Sequence, residues 1–136
     1  MKVLILEQEK TIRQSLINFM ERFNGFEVFS APSCKEGVSL FEEVPFDMVL
    51  CGHKLPDGDG LEVLKEWTKK KPRLISILMT AHSDEQLRQE AEKAGIRGYL
   101  EKPFDLKQLE EAVGIESSEF GVSLPAGRRG VRSKEF

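Results

Sequence analysis

Short apolar runs alternate with amphipathic stretches along most of this sequence, and few folds accommodate that rhythm. Val3–Leu6 is a continuous apolar run with the length of a strand buried on both faces. Ile12, Leu16, Phe19 and Phe23 then recur at helical spacing, and Gly25 ends that segment. Glu27–Ala31 reads as a weaker, more peripheral strand, and Val38, Phe41 and Val44 mark a second helix that Pro45 terminates. Met48–Cys51 is a third strand, and a turn-rich loop with Pro56, Gly58 and Gly60 leads into a helix carrying Val63, Leu64 and Trp67. Ile75–Thr80 is the fourth strand. Asp84–Ala94 is a helix with a thin apolar face of Leu87, Ala91 and Ala94. Gly98–Leu100 is a short fifth strand, and Leu106, Leu109 and Val113 line the last helix.

Each of the five helices opens on a capping-box pattern: Thr11–Gln14, Ser33–Glu36, Asp59–Glu62, Ser83–Gln86 and Asp105–Gln108. The first side chain accepts from a free backbone N–H three residues on, and the Glu or Gln reaches back. Alternating strand and helix units predict an α/β fold, a parallel sheet with helices on both faces and right-handed crossovers. In such sheets ligands sit at the carboxyl ends of the strands. The third strand ends at Gly52, which brings no side chain to that position.

The 136 residues, 40% hydrophobic and 32% charged, suit one globular domain over residues 1–113. Gly114–Phe136 holds four glycines, Pro125 and an Arg128, Arg129, Arg132 cluster without periodicity, and is expected to be a linker or disordered tail. A net charge of −3 recruits neither nucleic acid nor an anionic membrane, and no nucleic-acid module fits in the tail. No apolar run approaches the roughly 18 residues of a membrane span, and the N-terminus turns acidic too soon for a signal peptide. Cys34 and Cys51 make no disulfide framework and are expected to be free thiols in a reducing cytoplasm.

Particular residues carry a family likeness: Phe46-Asp47-Met48-Val49-Leu50; Leu55-Pro56 with Asp59-Gly60-Leu61; Met79-Thr80-Ala81; and Tyr99-Leu100-Glu101-Lys102-Pro103-Phe104. With these strand ends, residues 2–113 resemble the receiver domain of bacterial response regulators in two-component phosphorelay signalling. The resemblance implies a flavodoxin-like, doubly wound (βα)5 fold with strand order 2-1-3-4-5. It implies a phosphoacceptor aspartate ending the third strand, an acidic pair after the first that helps hold Mg²⁺, a hydroxyl residue, a lysine before a cis proline, and an aromatic switch. Residue by residue these positions fall on Gly52, on Glu7 with Gln8, on Thr80, on Lys102 and on Tyr99.

Glycine cannot form an acyl phosphate or ligate a metal, and Gln8 removes a further negative charge. Glu7 and Lys102 could offset each other, so no charge demand for Mg²⁺ is left and no cofactor is expected. The sequence therefore resembles a pseudo-receiver, not an enzyme. It would act through a histidine kinase, another signalling protein or itself, across the face of the fourth helix, fifth strand and fifth helix. Asp57, Asp59 and His53 are the alternative acceptors, although Asp59 reads as a helix cap and Asp57 as a turn residue. A small-ligand sensor is the third reading; no phosphate-binding glycine motif supports it. Trp67 reads as packing.

Overall fold

The apolar runs lie side by side because each is too short and too uniformly apolar to be anything but the buried middle of a sheet. The computed structural model describes residues 1–114. In chain order its elements are β1 (Lys2–Leu6), α1 (Lys10–Met20), β2 (Glu27–Ala31), α2 (Cys34–Glu43), β3 (Met48–Gly52), β4 (Lys54–Leu55), β5 (Gly58–Asp59), α3 (Gly60–Lys70), β6 (Ile75–Thr80), α4 (Glu85–Lys93), β7 (Gly98–Glu101) and α5 (Leu106–Val113). The main sheet is parallel throughout and ordered β2-β1-β3-β6-β7. This is the predicted 2-1-3-4-5 order, its numbering displaced by an antiparallel hairpin, β4–β5, that forms in the turn-rich loop after β3. The expected linker beyond Gly114 lies outside the described residues.

Alternation along the strands divides the core into two layers. Val3, Ile5, Met48, Leu50, Ile77 and Met79 face one way, against Leu16, Phe19 and Met20 of α1 and Leu109 and Val113 of α5. Leu4, Leu6, Val49, Cys51 and Leu78 face the other, against Leu61, Leu64 and Trp67 of α3 and Leu87 and Ala91 of α4. Each fully buried aliphatic side chain contributes about 1.5–3 kcal/mol. All of β3 is buried, as its central place requires.

Three of the predicted helix starts stand: Ser33, Asp59 and Asp105 are N-caps. Only Asp105 with Gln108 completes the reciprocal box; the Asp59 carboxylate accepts from Leu61 N–H at 2.8 Å, one residue short of the box position. Two starts are corrected. The N-cap of α1 is Glu9, without a side-chain bond, so Thr11 lies inside the first turn. The N-cap of α4 is Asp84, which accepts from Leu87 N–H at 2.8 Å. Asp caps as well as Ser does, and the Ser83 hydroxyl is taken by Tyr99 Oη at 2.6 Å.

The inward face of α2 also differs from the pattern. Val38 is solvent-exposed, and Gly37 faces the sheet instead, where a Cβ would stand 2.8 Å from Leu6 Cδ1. Phe41 packs its ring flat on Trp67 with centroids 4.0 Å apart, which makes Trp67 a core residue. Among the described residues no helix is long and apolar enough to cross a membrane.

Candidate functional site

Glu7 follows β1 directly, and its N–H donates to Ala31 O at 3.0 Å. The backbone is thereby held at the sheet's carboxyl edge, and the side chain is carried inward until 1% of the residue is exposed. Lys102 follows β7, its N–H donating to Thr80 O at 2.7 Å, and its peptide bond to Pro103 is cis. From there the Lys102 ammonium donates to Glu7 Oε1 at 2.9 Å. Glu9 N–H donates to the other oxygen, Oε2, at 2.9 Å. Both carboxylate oxygens are engaged, one by a cation and one by an amide.

Gly52 stands beside this pair. A Cβ built on it would lie 3.1 Å from Glu7 Oε1 and 3.4 Å from Leu6 O. A side chain at residue 52 would therefore press on the Glu7 carboxylate, which would have to give way slightly to admit it. The chain is close on the other side too: a Cβ on Gly60 would fall 1.9 Å from Gly52 O, so the first residue of α3 has to be glycine for the backbones to meet.

Thr80, at the end of β6, is 2% exposed. Its Oγ1 accepts from His82 N–H at 3.0 Å and lies 3.1 Å from His53 Nδ1. The amide can only donate, so the hydroxyl proton is free to go to an unprotonated Nδ1. That tautomer turns Nε2–H toward Asp59 Oδ1, 3.6 Å away. His53 thus spans the end of β6 and the start of α3.

The other acidic candidates hold the scaffold. Asp57, in the turn of the β4–β5 hairpin, accepts from Cys34 N–H at 2.7 Å and Lys35 N–H at 2.9 Å. It caps α2 from a distant loop, and the Lys35 and Cys34 amides hold its carboxyl below the usual value. Burial first, and then the Asp57 charge, push the Cys34 thiol up to about 11. Cys51 is fully buried, and desolvation raises it as well.

Gln8 is not drawn into the site; it is exposed, and its carbonyl oxygen accepts from Arg13 Nη1 at 3.3 Å. Tyr99 lies apart, half-buried between α4 and β7. Its hydroxyl meets Ser83, the Arg88 guanidinium lies 4.6 Å over its ring, and Arg88 also pairs with Glu101 at 2.7 Å. The structure brings Glu7, Gly52, Thr80, Lys102 and His53 together. Sequence patterns missed the His53–Thr80 bond, the cap that Asp57 supplies and the Ser83–Tyr99–Arg88–Glu101 cluster, since nothing in spacing reports pairs so far apart in the chain.

The family model for the response regulator receiver domain matches residues 3–114. The chain belongs to that family. Among receiver-containing relatives, the regulatory protein AtoC of Escherichia coli is 33% identical over 108 residues, covering 79% of this chain and 23% of AtoC. Sporulation initiation phosphotransferase F of Bacillus subtilis is 30% identical over 112 residues, covering 82% of this chain and 90% of that one. A CheY-like receiver domain from Methanospirillum hungatei superposes with a TM-score of 0.78 at 28% identity, covering 88% of this chain and 95% of that chain. This receiver chain spans about a quarter of the length of AtoC and of the transcriptional regulator ZraR of Salmonella typhimurium, 23% and 26% respectively.

Proposed function

We propose that this receiver domain accepts no phosphoryl group at the end of β3 and signals by binding protein partners. The observation that carries the reading is the Glu7–Lys102 ion pair, which stands beside Gly52 at 3.1 Å from the would-be Cβ. In the receiver pattern a carboxylate at that position is the nucleophile, and the lysine serves the phosphoryl oxygens. Here the lysine is committed to Glu7, and Gly52 offers no nucleophile.

The donor set does not fit Mg²⁺. Mg²⁺ takes six oxygen ligands in octahedral geometry, keeping several waters and needing one or two carboxylates with oxygens free to ligate it. Glu7 is the carboxylate that a Cβ on Gly52 would meet, and its two oxygens already serve Lys102 and Glu9 N–H. Among the described residues no three His, Cys, Asp or Glu side chains group as a metal site. No catalytic step is assigned to the domain. Displaced phosphorylation on Asp57 or Asp59 is disfavoured by their helix-capping bonds. A small ligand beside Gly52 would have to displace the Glu7 carboxylate.

The contact face we assign is α4, β7 and α5, where Arg88, Tyr99, Ser83 and Glu101 make an ordered polar surface over the thin apolar face of α4. The beryllofluoride-activated NtrC4 receiver domain, 26% identical with a TM-score of 0.75, is a dimer in solution, which supports self-association as one form of such contact. Incubation with acetyl phosphate, or with beryllofluoride and Mg²⁺, tests the reading by intact mass and amide NMR. The expected result is an unchanged mass and unmoved Thr80 and Lys102 amides. An acid-labile phosphoryl adduct, or large shifts at those amides, would overturn it, and reductive trapping would then locate the acceptor.

A further inference from the structure

At the opposite, amino-terminal end of the sheet the α2–β3 and α3–β6 loops run side by side and enclose a groove of about 580 Å³. Its floor is apolar, with Phe46 and Leu74 buried and Ile75 half-buried. Pro45 and Pro72 form its two lips. Neither proline carries an N–H, so the lips present ring faces and carbonyl oxygens.

The charge on this groove runs against that of the chain. Lys69, Lys70, Lys71 and Arg73 place four cations in five residues of a chain whose net charge is −3. Lys71 and Arg73 line the groove itself. Lys70 is paired with Glu66 at 3.4 Å. Lys71 has no ion pair among the described residues, and its ammonium lies 5.2 Å over the Phe41 ring, the ring stacked on Trp67. Arg73 is exposed and has no hydrogen bond or ion pair among the described residues. The one carboxylate in the lining among the described residues, Asp47, already accepts from Lys2 N–H at 2.7 Å. The groove thus has an apolar floor and two cations without carboxylate partners.

We propose that this groove docks an acidic peptide segment of a partner protein, with one aromatic or large aliphatic side chain on the Phe46–Leu74 floor and flanking carboxylates on Lys71 and Arg73. Charge complementarity selects an acidic occupant, since rim charges choose partners by sign. Nucleic acid is disfavoured: affinity for it grows with the number of phosphates neutralised, and Glu42, Glu43 and Glu66 stand in the neighbouring helices. The inference shares with the proposed function only the premise that the domain works by protein contact. It concerns the far end of the sheet and does not depend on whether Gly52 and its neighbours carry phosphoryl chemistry.

The test uses the full chain and a synthetic, acetylated Asp-Glu-Phe-Glu-Asp-Leu-Glu peptide, followed by amide NMR and by the fluorescence of Trp67, the single tryptophan. Saturable shifts are expected at the amides of Phe46, Asp47, Lys71, Arg73, Leu74 and Ile75, with smaller ones at Phe41 and Trp67 and a fluorescence change as Lys71 leaves the Phe41 ring. Arg73→Glu and Lys71→Glu should each weaken binding on the order of tenfold, and added salt should weaken it further. Arg73 has no partner to lose, so the melting temperature of Arg73→Glu should not move. No saturable shift at millimolar peptide, shifts that leave the groove residues unmoved, or undiminished binding by both variants would overturn the proposal. Equal binding of a peptide with lysines for the acidic residues, or of phenylpropionate alone, would overturn it too, the latter in favour of a small amphipathic anion. The phosphorylation assay reads Thr80 and Lys102 at the other end, so failure of one reading is distinguishable from failure of the other.

Discussion

Replacing Lys102 with methionine keeps the length and apolar stem of the side chain and removes the ammonium that donates to Glu7. Glu7 is 1% exposed and the Lys102 side chain 15%, so water reaches the pair poorly. An exposed ion pair contributes about 0–1 kcal/mol. Removing one partner of a buried pair costs about 3–5 kcal/mol, because the remaining charge has lost its compensation. Glu7 keeps one hydrogen bond, from Glu9 N–H, which places Lys102→Met near the lower end, about 3 kcal/mol. For a domain of this size, between the two size classes at about 4 °C per kcal/mol, that is a fall in melting temperature of roughly 12 °C. The decisive variant is the double one. Glu7→Gln with Lys102→Met removes both charges and should recover to within about 1–2 kcal/mol of the parent, since a neutral replacement for a buried pair costs little. Urea unfolding of the four proteins in the cycle gives the coupling directly. If Lys102→Met costs under about 1 kcal/mol, or the double variant is no more stable than the single one, the pair is a solvated contact and cannot be what occupies the site.

Gly52→Asp sets a second carboxylate within reach of Glu7 Oε1; it should lose roughly 3 kcal/mol in EDTA and regain part of that on Mg²⁺ addition, as followed by thermal shift. A melting temperature insensitive to Mg²⁺ would show that Lys102 still holds Glu7. Cys34, raised from 9.0 to about 11, should react with iodoacetamide at pH 8 roughly tenfold more slowly than an ordinary thiol, its smaller thiolate fraction being partly offset by the greater nucleophilicity of a more basic thiolate, and Asp57→Asn should speed it by removing the neighbouring charge. The carboxyl of Asp57 is held below its ordinary 3.8 in the folded chain, so the stability it adds is complete above that value and disappears as pH falls through the folded one. The gap in urea midpoint between the parent and Asp57→Asn should accordingly be constant near neutrality and close in acid.

The sheet is legible because its central strands are buried on both faces and read as unbroken apolar runs, while the edge strand β2 shows as a shorter, mixed run between turn signals. Glu27–Ala31 and Ile75–Thr80 were placed to the residue. Helix starts are less legible, because adjacent residues compete for one cap: Asp84 caps as well as Ser83 would, and the Ser83 hydroxyl is engaged by Tyr99, sixteen residues on. The hairpin after β3 left no trace, since two-residue strands have no period to detect. Of the site, Glu7, Thr80 and Lys102 were found at strand ends and the Glu7–Lys102 pairing followed from their charges. The role of His53 was not found, because its bond to Thr80 depends on how two loops lean over the sheet.

Asp57 ties the hairpin turn to the first turn of α2 across 23 residues of sequence. Opening the hairpin would uncover the Cys34 and Lys35 amides, and fraying α2 would release the hairpin, so the two form one unit of local unfolding. A loop over a reaction site is ordinarily among the least stable parts of a domain, free to open for its substrate. This one is hydrogen-bonded to a helix end and should share that helix end's protection against hydrogen exchange, so that the rim of the site belongs to the frame.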